Sequence, residues 1–115
     1  MKVQLQGQSL RLRIDEAELA RLQGGGRVEN CTLLPGGLAC TQGVELVEGA
    51  CPEFSGTAQD WCLRLPRSVL VDYVGRLPCK DGLAFGLPTV GSGAVEFAFE
   101  VDVRDSARVR GKARR

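Results

Sequence analysis

The chain has 115 residues and a mass of 12.4 kDa, with 43% hydrophobic residues, 25% charged residues and a formal net charge of +1. This length fits one compact domain, and no apolar run reaches the ~20 residues that a membrane-spanning helix needs, so we expect no membrane association. Because the chain contains no histidine, its composition excludes Ser-His-Asp triads, Cys-His dyads and histidine-based zinc catalysis.

The first fourteen residues alternate apolar and polar side chains, which predicts a β-hairpin or one long bent strand. Gly7 and its two neighbours interrupt the alternation near the middle. One face of this segment is expected to lie in the core and the other in water. The apolar positions are Val3, Leu5, Leu10, Leu12 and Ile14.

A short helix is predicted over residues 15–23. Asp15 and Glu18 have the spacing of a capping box, in which each side chain accepts a hydrogen bond from the other residue's backbone amide. Ile14 and Leu19 have the spacing of a hydrophobic staple. Three glycines at 24–26 end the helix, since glycine readily supplies a left-handed cap.

The middle of the chain is predicted to consist of strands joined by turns. Residues 49–58 contain Pro52 and Gly56 and are interpreted as a surface connection. Residues 44–47 either continue the preceding strand or start a new one. The predicted strands are 27–34 and 38–42, separated by a Pro-Gly-Gly turn, and 60–65.

A second helix is predicted from residue 67 to about residue 75, opened by Pro66, whose missing amide is harmless in the first turn. A short strand follows over residues 83–87. The last strand alternates most regularly, with Val95, Phe97, Phe99, Val101 and Val103 on one face and Glu96, Ala98, Glu100, Asp102 and Arg104 on the other.

A weak internal repeat links the two predicted helices. The sequence Leu12-Arg13-Ile14, which leads into the first helix, aligns at an offset of 51 residues with Leu63-Arg64-Leu65, which leads into the second. The predicted fold class is therefore α+β, with a mainly antiparallel sheet and two short helices, and the repeat suggests a duplicated β-α-β-β unit.

Charge is distributed unevenly along the chain. Residues 104–115 hold six Lys or Arg residues against Asp105, whereas the other 103 residues hold nine against thirteen Asp or Glu residues. We divide the chain into an α+β domain at 1–104 and a basic tail, predicted to be disordered, at 105–115. Such a tail can bind an anion or a nucleic-acid backbone. The candidate contacts are Arg108, Arg110, Lys112, Arg114 and Arg115.

The five cysteines have no Cys-x-x-Cys spacing and are odd in number. This usage favours a reducing compartment, in which cysteines act as small hydrophobic residues. Because zinc ligands usually occur in closely spaced pairs, we predict no metal site from them. No cofactor and no catalytic residue is predicted from any motif in the chain.

One alternation on the last strand allows a different interpretation. Glu100, Asp102 and Arg104 place two acids and a base on one strand face, a pattern that can hold a divalent metal and a phosphate together. If the first and last strands share a sheet, Arg11 and Arg13 are expected on the same surface. The simpler interpretation is a solvated face with cross-strand ion pairs.

The N-terminal residues resemble a small bacterial family of unknown function. Residues 2–14, Lys-Val-Gln-Leu-Gln-Gly-Gln-Ser-Leu-Arg-Leu-Arg-Ile, are similar to that family's opening pattern Lys-Ile/Val-x-Ile/Leu-x-Gly-x-Ser-Ile/Leu-Arg-Leu-Arg, and the similarity covers about the first thirty residues. The resemblance implies a bacterial cytosolic protein and supplies no activity, cofactor or catalytic residue.

Three functions fit these observations. The favoured one is a non-enzymatic accessory or protein-binding module of the cytoplasm that acts through a protein partner or as a homo-oligomer. The second is a nucleic-acid-associated protein that uses the basic tail, with salt-sensitive binding. The third is a metal-dependent phosphate-handling enzyme that uses the triplet on the last strand.

Overall fold

The computed structural model describes residues 1–77 and 82–103. Neither α-helix in this part of the chain has the length and apolar character needed to cross a membrane. A short 3-10 turn lies at Pro35–Gly37. In chain order, the strands and helices are β1 (Lys2–Gln6), β2 (Ser9–Ile14), α1 (Glu16–Gln23), β3 (Val28–Leu34), β4 (Leu38–Val47), β5 (Glu53–Gly56), β6 (Asp60–Pro66), α2 (Arg67–Gly75), β7 (Leu83–Pro88) and β8 (Ala94–Val101).

The strands form two four-stranded sheets, ordered β1-β2-β8-β7 and β3-β4-β6-β5. Each sheet contains two antiparallel pairs, and its two central strands pair in parallel, β2 with β8 and β4 with β6. The predicted α+β class, with mainly antiparallel pairing and two short helices, is confirmed. The structure adds the division of the strands between two sheets.

The order strand-strand-helix-strand-strand occurs twice, from β1 to β4 and from β5 to β8, so the repeated unit has one strand more than the predicted β-α-β-β unit. Each sheet combines one antiparallel pair from each half of the chain. The offset of 51 residues is confirmed by burial, because every buried apolar residue of β2 and α1 has a buried counterpart in β6 and α2. These equivalent pairs are Leu10 and Trp61, Leu12 and Leu63, Ile14 and Leu65, Leu19 and Leu70, and Leu22 and Tyr73.

One hydrophobic core contains the inward-facing side chains of both sheets and both helices. Trp61 and Tyr73 lie in this core, as their positions in β6 and α2 predict. The Tyr73 hydroxyl accepts a hydrogen bond from the backbone amide of Val101 at 3.2 Å, which ties α2 to the end of β8. Tyr73 also packs edge-on against Phe99, with the ring centroids 6.5 Å apart.

The predicted capping box at the start of α1 is confirmed. Asp15 Oδ1 accepts from the backbone amide of Glu18 at 2.8 Å, and Glu18 Oε1 accepts from the backbone amide of Asp15 at 3.1 Å. Beyond the helix, Gly25 has φ +91°, the left-handed conformation that the glycine run predicts. The second helix begins after Pro66 with no side-chain cap.

We expect the Asp15→Ala variant to lose about 0.5–2 kcal/mol of unfolding free energy, because the amide of Glu18 loses its acceptor at the helix N-terminus. Urea unfolding followed by circular dichroism measures this loss. Asp15→Asn is the matched control, since its side-chain oxygen can still accept that bond. Equal losses in both variants would mean that the aspartate charge, and not the cap hydrogen bond, stabilises the helix.

The interpretation of residues 49–58 as a surface connection is wrong for Glu53–Gly56, which form β5 and pair with β6. All four residues of this edge strand are exposed, so burial imposes no alternation that a sequence could display. Residues 44–47 continue the preceding strand as part of β4, and β8 ends at Val101, before Val103.

Candidate functional site

The outward face of the first sheet carries the ion pairs that its charged alternation predicts. The parallel register of β2 and β8 places Arg13 opposite Glu100. One oxygen of Glu100 lies 3.4 Å from Arg11 Nε, and the other lies 3.1 Å from Arg13 Nη2. Two guanidinium groups therefore share one carboxylate, so its charge is already compensated within the sheet.

The predicted metal and phosphate triplet is described only in part. Glu100 is held by the two arginines, and the backbone amide of Asp102 donates to the carbonyl of Ile14 at 2.8 Å, just beyond the end of β8. Arg104 lies outside the described residues. Within residues 1–77 and 82–103, no three acidic or cysteine side chains are grouped as metal ligands. A metal at Glu100 would compete with two arginines, and the metal-phosphate hypothesis stays a prediction.

The basic tail at 105–115 also lies outside the described residues. The nucleic-acid hypothesis therefore stays a prediction. Its candidate contacts are Arg108, Arg110, Lys112, Arg114 and Arg115.

The four cysteines in the described part of the chain are free thiols in different surroundings. Cys62 is buried in β6, and burial raises the pKa of its thiol, with the Glu45 carboxylate adding to that rise. A raised pKa makes the thiolate scarce at neutral pH, so Cys62 fits the small-hydrophobe interpretation. Cys31 and Cys51 are exposed instead, so the small-hydrophobe interpretation is wrong for these two residues.

The β3–β4 hairpin extends beyond the rest of the second sheet. Its pairing continues to Leu34 opposite Leu38, whereas β6 begins at Asp60, opposite Thr41. Among the described strands, β4 therefore has no second neighbour over residues 38–40, and β3 is an edge strand. We call residues 30–42 the hairpin arm.

The hairpin arm is apolar and contains no Asp, Glu, Lys or Arg over its thirteen residues. Leu33 is 82% exposed and Leu38 is 62% exposed. Leu33 and Leu34 point to opposite faces because side chains alternate along a strand, so both faces of the arm present leucine. Natural sheets usually protect edges with charges, prolines or bulges. Here the arm's strands carry no charge, and its one proline, Pro35, lies in the turn.

The base of the arm is fixed by a side-chain pair. Asn30 Nδ2 donates to Gln42 Oε1 at 2.9 Å. Gln42 is buried and lies opposite Trp61 in the register of β4 and β6. The arm is thus joined to the sheet at a buried polar contact, and its leucines lie beyond that point.

A second apolar surface lies at one end of the space between the two sheets. This groove has a volume of about 590 Å³, and no charged residue lines it. Phe54 stacks obliquely between Trp61 and Phe97, with ring centroids 5.0 and 5.6 Å away. At the rim, the side chains of Leu5 and Val90 are exposed. We call this surface the end groove. Its fifteen lining residues include Leu5, Phe54, Trp61, Val90, Val95 and Phe97.

The hairpin arm and the end groove lie at the same end of the protein. The groove includes Leu10 and Trp61, the second residues of β2 and β6, whereas α1 and α2 follow the other ends of those strands. The arm projects past the start of β6, because β4 runs parallel to it. Two uncharged apolar surfaces are therefore neighbours at the end remote from the helices.

Neither surface is among the functional candidates that the sequence predicts. A signal for the arm was present, because residues 30–44 form an uncharged stretch rich in leucine and cysteine. For the groove, the signal was weak. Phe54 alternates with Glu53 and Ser55, but three residues are too few to distinguish a strand from a loop.

The chain matches no family model, and neither the curated proteins nor the solved structures contain a significant match. The resemblance of residues 2–14 to a bacterial family therefore stays a prediction. The hairpin arm and the end groove are the features from which a function can be argued.

Proposed function

We propose that the protein is a non-enzymatic module that acts by binding another protein chain through the hairpin arm. The observation that carries this proposal is the arm itself, an uncharged ribbon with exposed leucines on both faces. Exposed leucines grouped on an uncharged ribbon are typical of a site of protein interaction. A two-stranded ribbon is also marginally stable in water, so a covering partner would stabilise it.

The arm can bind a partner in two ways at once. The open edge of β3 offers backbone amides and carbonyls to an added strand, which is how sheet edges bind extended segments. The side chains of Leu34 and Leu38, paired across the arm, offer apolar area on one face. Backbone pairing supplies affinity, and the leucines select a partner with complementary apolar surface.

The proposed module acts in the bacterial cytoplasm, as the family resemblance implies. Cys31 lies on the arm with its thiol exposed, and Cys51 is exposed as well. Two accessible thiols suit a reducing compartment, where they do not form unwanted disulfides.

We expect the Leu34→Lys/Leu38→Lys variant to retain at least about tenfold less protein from cell extract than wild type does. The reason is that each lysine would have to be desolvated in the interface. Val71→Lys is the matched control, since Val71 is 63% exposed on α2, away from the arm. Retention is measured with a tagged chain by quantitative mass spectrometry, and an untagged second copy counts as retained protein.

Circular dichroism and the thermal midpoint establish that both variants fold like wild type. Retention that is equal in all three proteins would overturn the proposal, since the arm would then contribute nothing to binding. Equal losses in both lysine variants would overturn it too, because added charge in general, and not the arm, would then be responsible.

A further inference from the structure

We infer that the hairpin arm binds a second copy of this chain, and that each copy's arm lies in the end groove of the other. This inference rests on the proposed function and names its partner. The resulting assembly is a two-fold symmetric dimer with two equivalent contacts between arm and groove.

The two surfaces match in chemistry. Neither the thirteen residues of the arm nor the fifteen that line the groove include a charged side chain. Bringing them together therefore buries no unpaired charge, which is the main cost that prevents arbitrary surfaces from associating. The groove walls are aromatic and aliphatic, and Leu34, Pro35 and Leu38 supply the apolar tip that such a cavity accommodates.

Their placement allows reciprocal exchange. In a two-fold dimer, if one surface of the first copy contacts another surface of the second, the reverse contact must form as well. The arm and the groove lie at the same end of the protein, so two copies that meet end to end can form both contacts together. An arm and a groove at opposite ends would instead produce open chains of copies.

The combined surface is large enough for a stable dimer. Apart from four residues that are buried within the chain, the arm and the groove together have 24 exposed or partly exposed residues on each copy, and standard interfaces use about 20–30 residues a side. A foreign protein that contacts the arm alone would use about half of that number. The size of the reciprocal surface therefore favours a second copy as the occupant.

Sedimentation equilibrium on the full chain tests the inference at concentrations up to about 100 μM, where a dimer of micromolar dissociation constant is well populated. We expect wild type and Val71→Lys to dimerise equally. The arm variant Leu34→Lys/Leu38→Lys and the groove variant Leu5→Lys/Val90→Lys should each raise the dissociation constant at least about tenfold. The substituted side chains are all exposed, so the variants are expected to fold.

Mixing the two variants distinguishes arm-in-groove exchange from other dimers. The groove variant retains an intact arm and the arm variant retains an intact groove, so a mixed dimer regains one of the two contacts. We expect heterodimers in the equimolar mixture at concentrations where each variant alone is monomeric. A donor dye on one variant and an acceptor dye on the other report these heterodimers by energy transfer.

Any one of the following results would overturn the inference. If wild type stays monomeric, the arm does not bind a second copy. If only the arm substitution weakens the dimer, the end groove is not where the arm binds. If the mixture forms no heterodimer, the contacts are not reciprocal. If wild type is monomeric but its arm still retains another protein from extract, the inference of a second copy is refuted and the proposed function stands. If neither double substitution changes the dissociation constant of the dimer or the amount of protein retained, both the inference and the proposed function are refuted.

Discussion

Replacing Leu63 by alanine is expected to lower the free energy of unfolding by about 2–5 kcal/mol, through lost burial and the cavity left behind. Leu63 has no exposed surface and lies in β6 between Val44 and Phe54 of the neighbouring strands. Its repeat counterpart Leu12 lies in β2 between Val3 and Phe99 and is 1% exposed. We expect Leu12→Ala to cost an amount in the same range, because both leucines occupy the centre of a sheet.

The matched control is Leu33→Ala on the hairpin arm, where the same chemical change affects a side chain that is 82% exposed. We expect it to change stability by no more than about 0.5 kcal/mol. Urea unfolding should be measured at low protein concentration, so that association does not add to stability. A cost for Leu33→Ala as large as that for Leu63→Ala would mean that the arm is packed within its own chain, which would contradict its role as a binding surface.

The parts of the fold that could be predicted are those whose signals are local. The helix α1 is specified by the capping pair Asp15 and Glu18 together with the glycines that follow it, and β2 by its strict alternation. The repeat was visible because a strand leading directly into a helix is a short motif with a fixed register. The cap, the alternation and each copy of the repeated motif depend on residues within about one turn or one strand of each other.

The pairing of β2 with β8 could not be predicted, because no local sequence signal specifies it. Leu12 and Phe99 are neighbours in the sheet although 87 positions separate them in sequence, and an alternating pattern states which face is buried without stating which strand covers the edge. From the sequence, Arg11, Arg13 and Glu100 are therefore expected on one surface only on the condition that the first and last strands share a sheet. The structure meets that condition.

The candidate binding surfaces were missed for a related reason. Residues 30–42 carry no charge, but nothing in their order indicates that β6 starts too late to cover residues 38–40. The end groove is assembled from Leu5, Phe54 and Val90, which belong to three distant stretches of the chain. Exposure of apolar side chains is a property of the assembled sheets, so no single stretch could display it.

Replacing Gly56 by alanine is expected to cost about 2–5 kcal/mol of unfolding free energy. Gly56 has φ +115°, a conformation that residues with a side chain rarely adopt. A Cβ atom there would also collide with the backbone carbonyl of Asp60 and would lie 2.8 Å from Trp61 Cα. The close approach arises in the tight connection to β6, where Thr57 and Asp60 exchange backbone hydrogen bonds of 2.9 and 3.2 Å.

Gly75→Ala is the matched control, because Gly75 is the last residue of α2 and a Cβ atom at this position would have no neighbouring atom within 4 Å. Alanine there is expected to leave stability unchanged or to raise it by up to about 1 kcal/mol. Chemical denaturation measures both variants. A Gly56→Ala protein as stable as Gly75→Ala would mean that the β5–β6 connection relaxes without strain.

Fluorescence reports where the Gly56→Ala strain acts. Trp61, the single tryptophan, pairs with Gly56 in the sheet and stacks against Phe54. If the added methyl group forces β5 away from β6, Phe54 leaves the end groove, Trp61 becomes hydrated and its emission shifts to longer wavelength. Dimerisation should weaken in the same variant, because the displaced strand forms one wall of the groove. A red shift with unchanged dimerisation would show that the arm does not bind against Phe54.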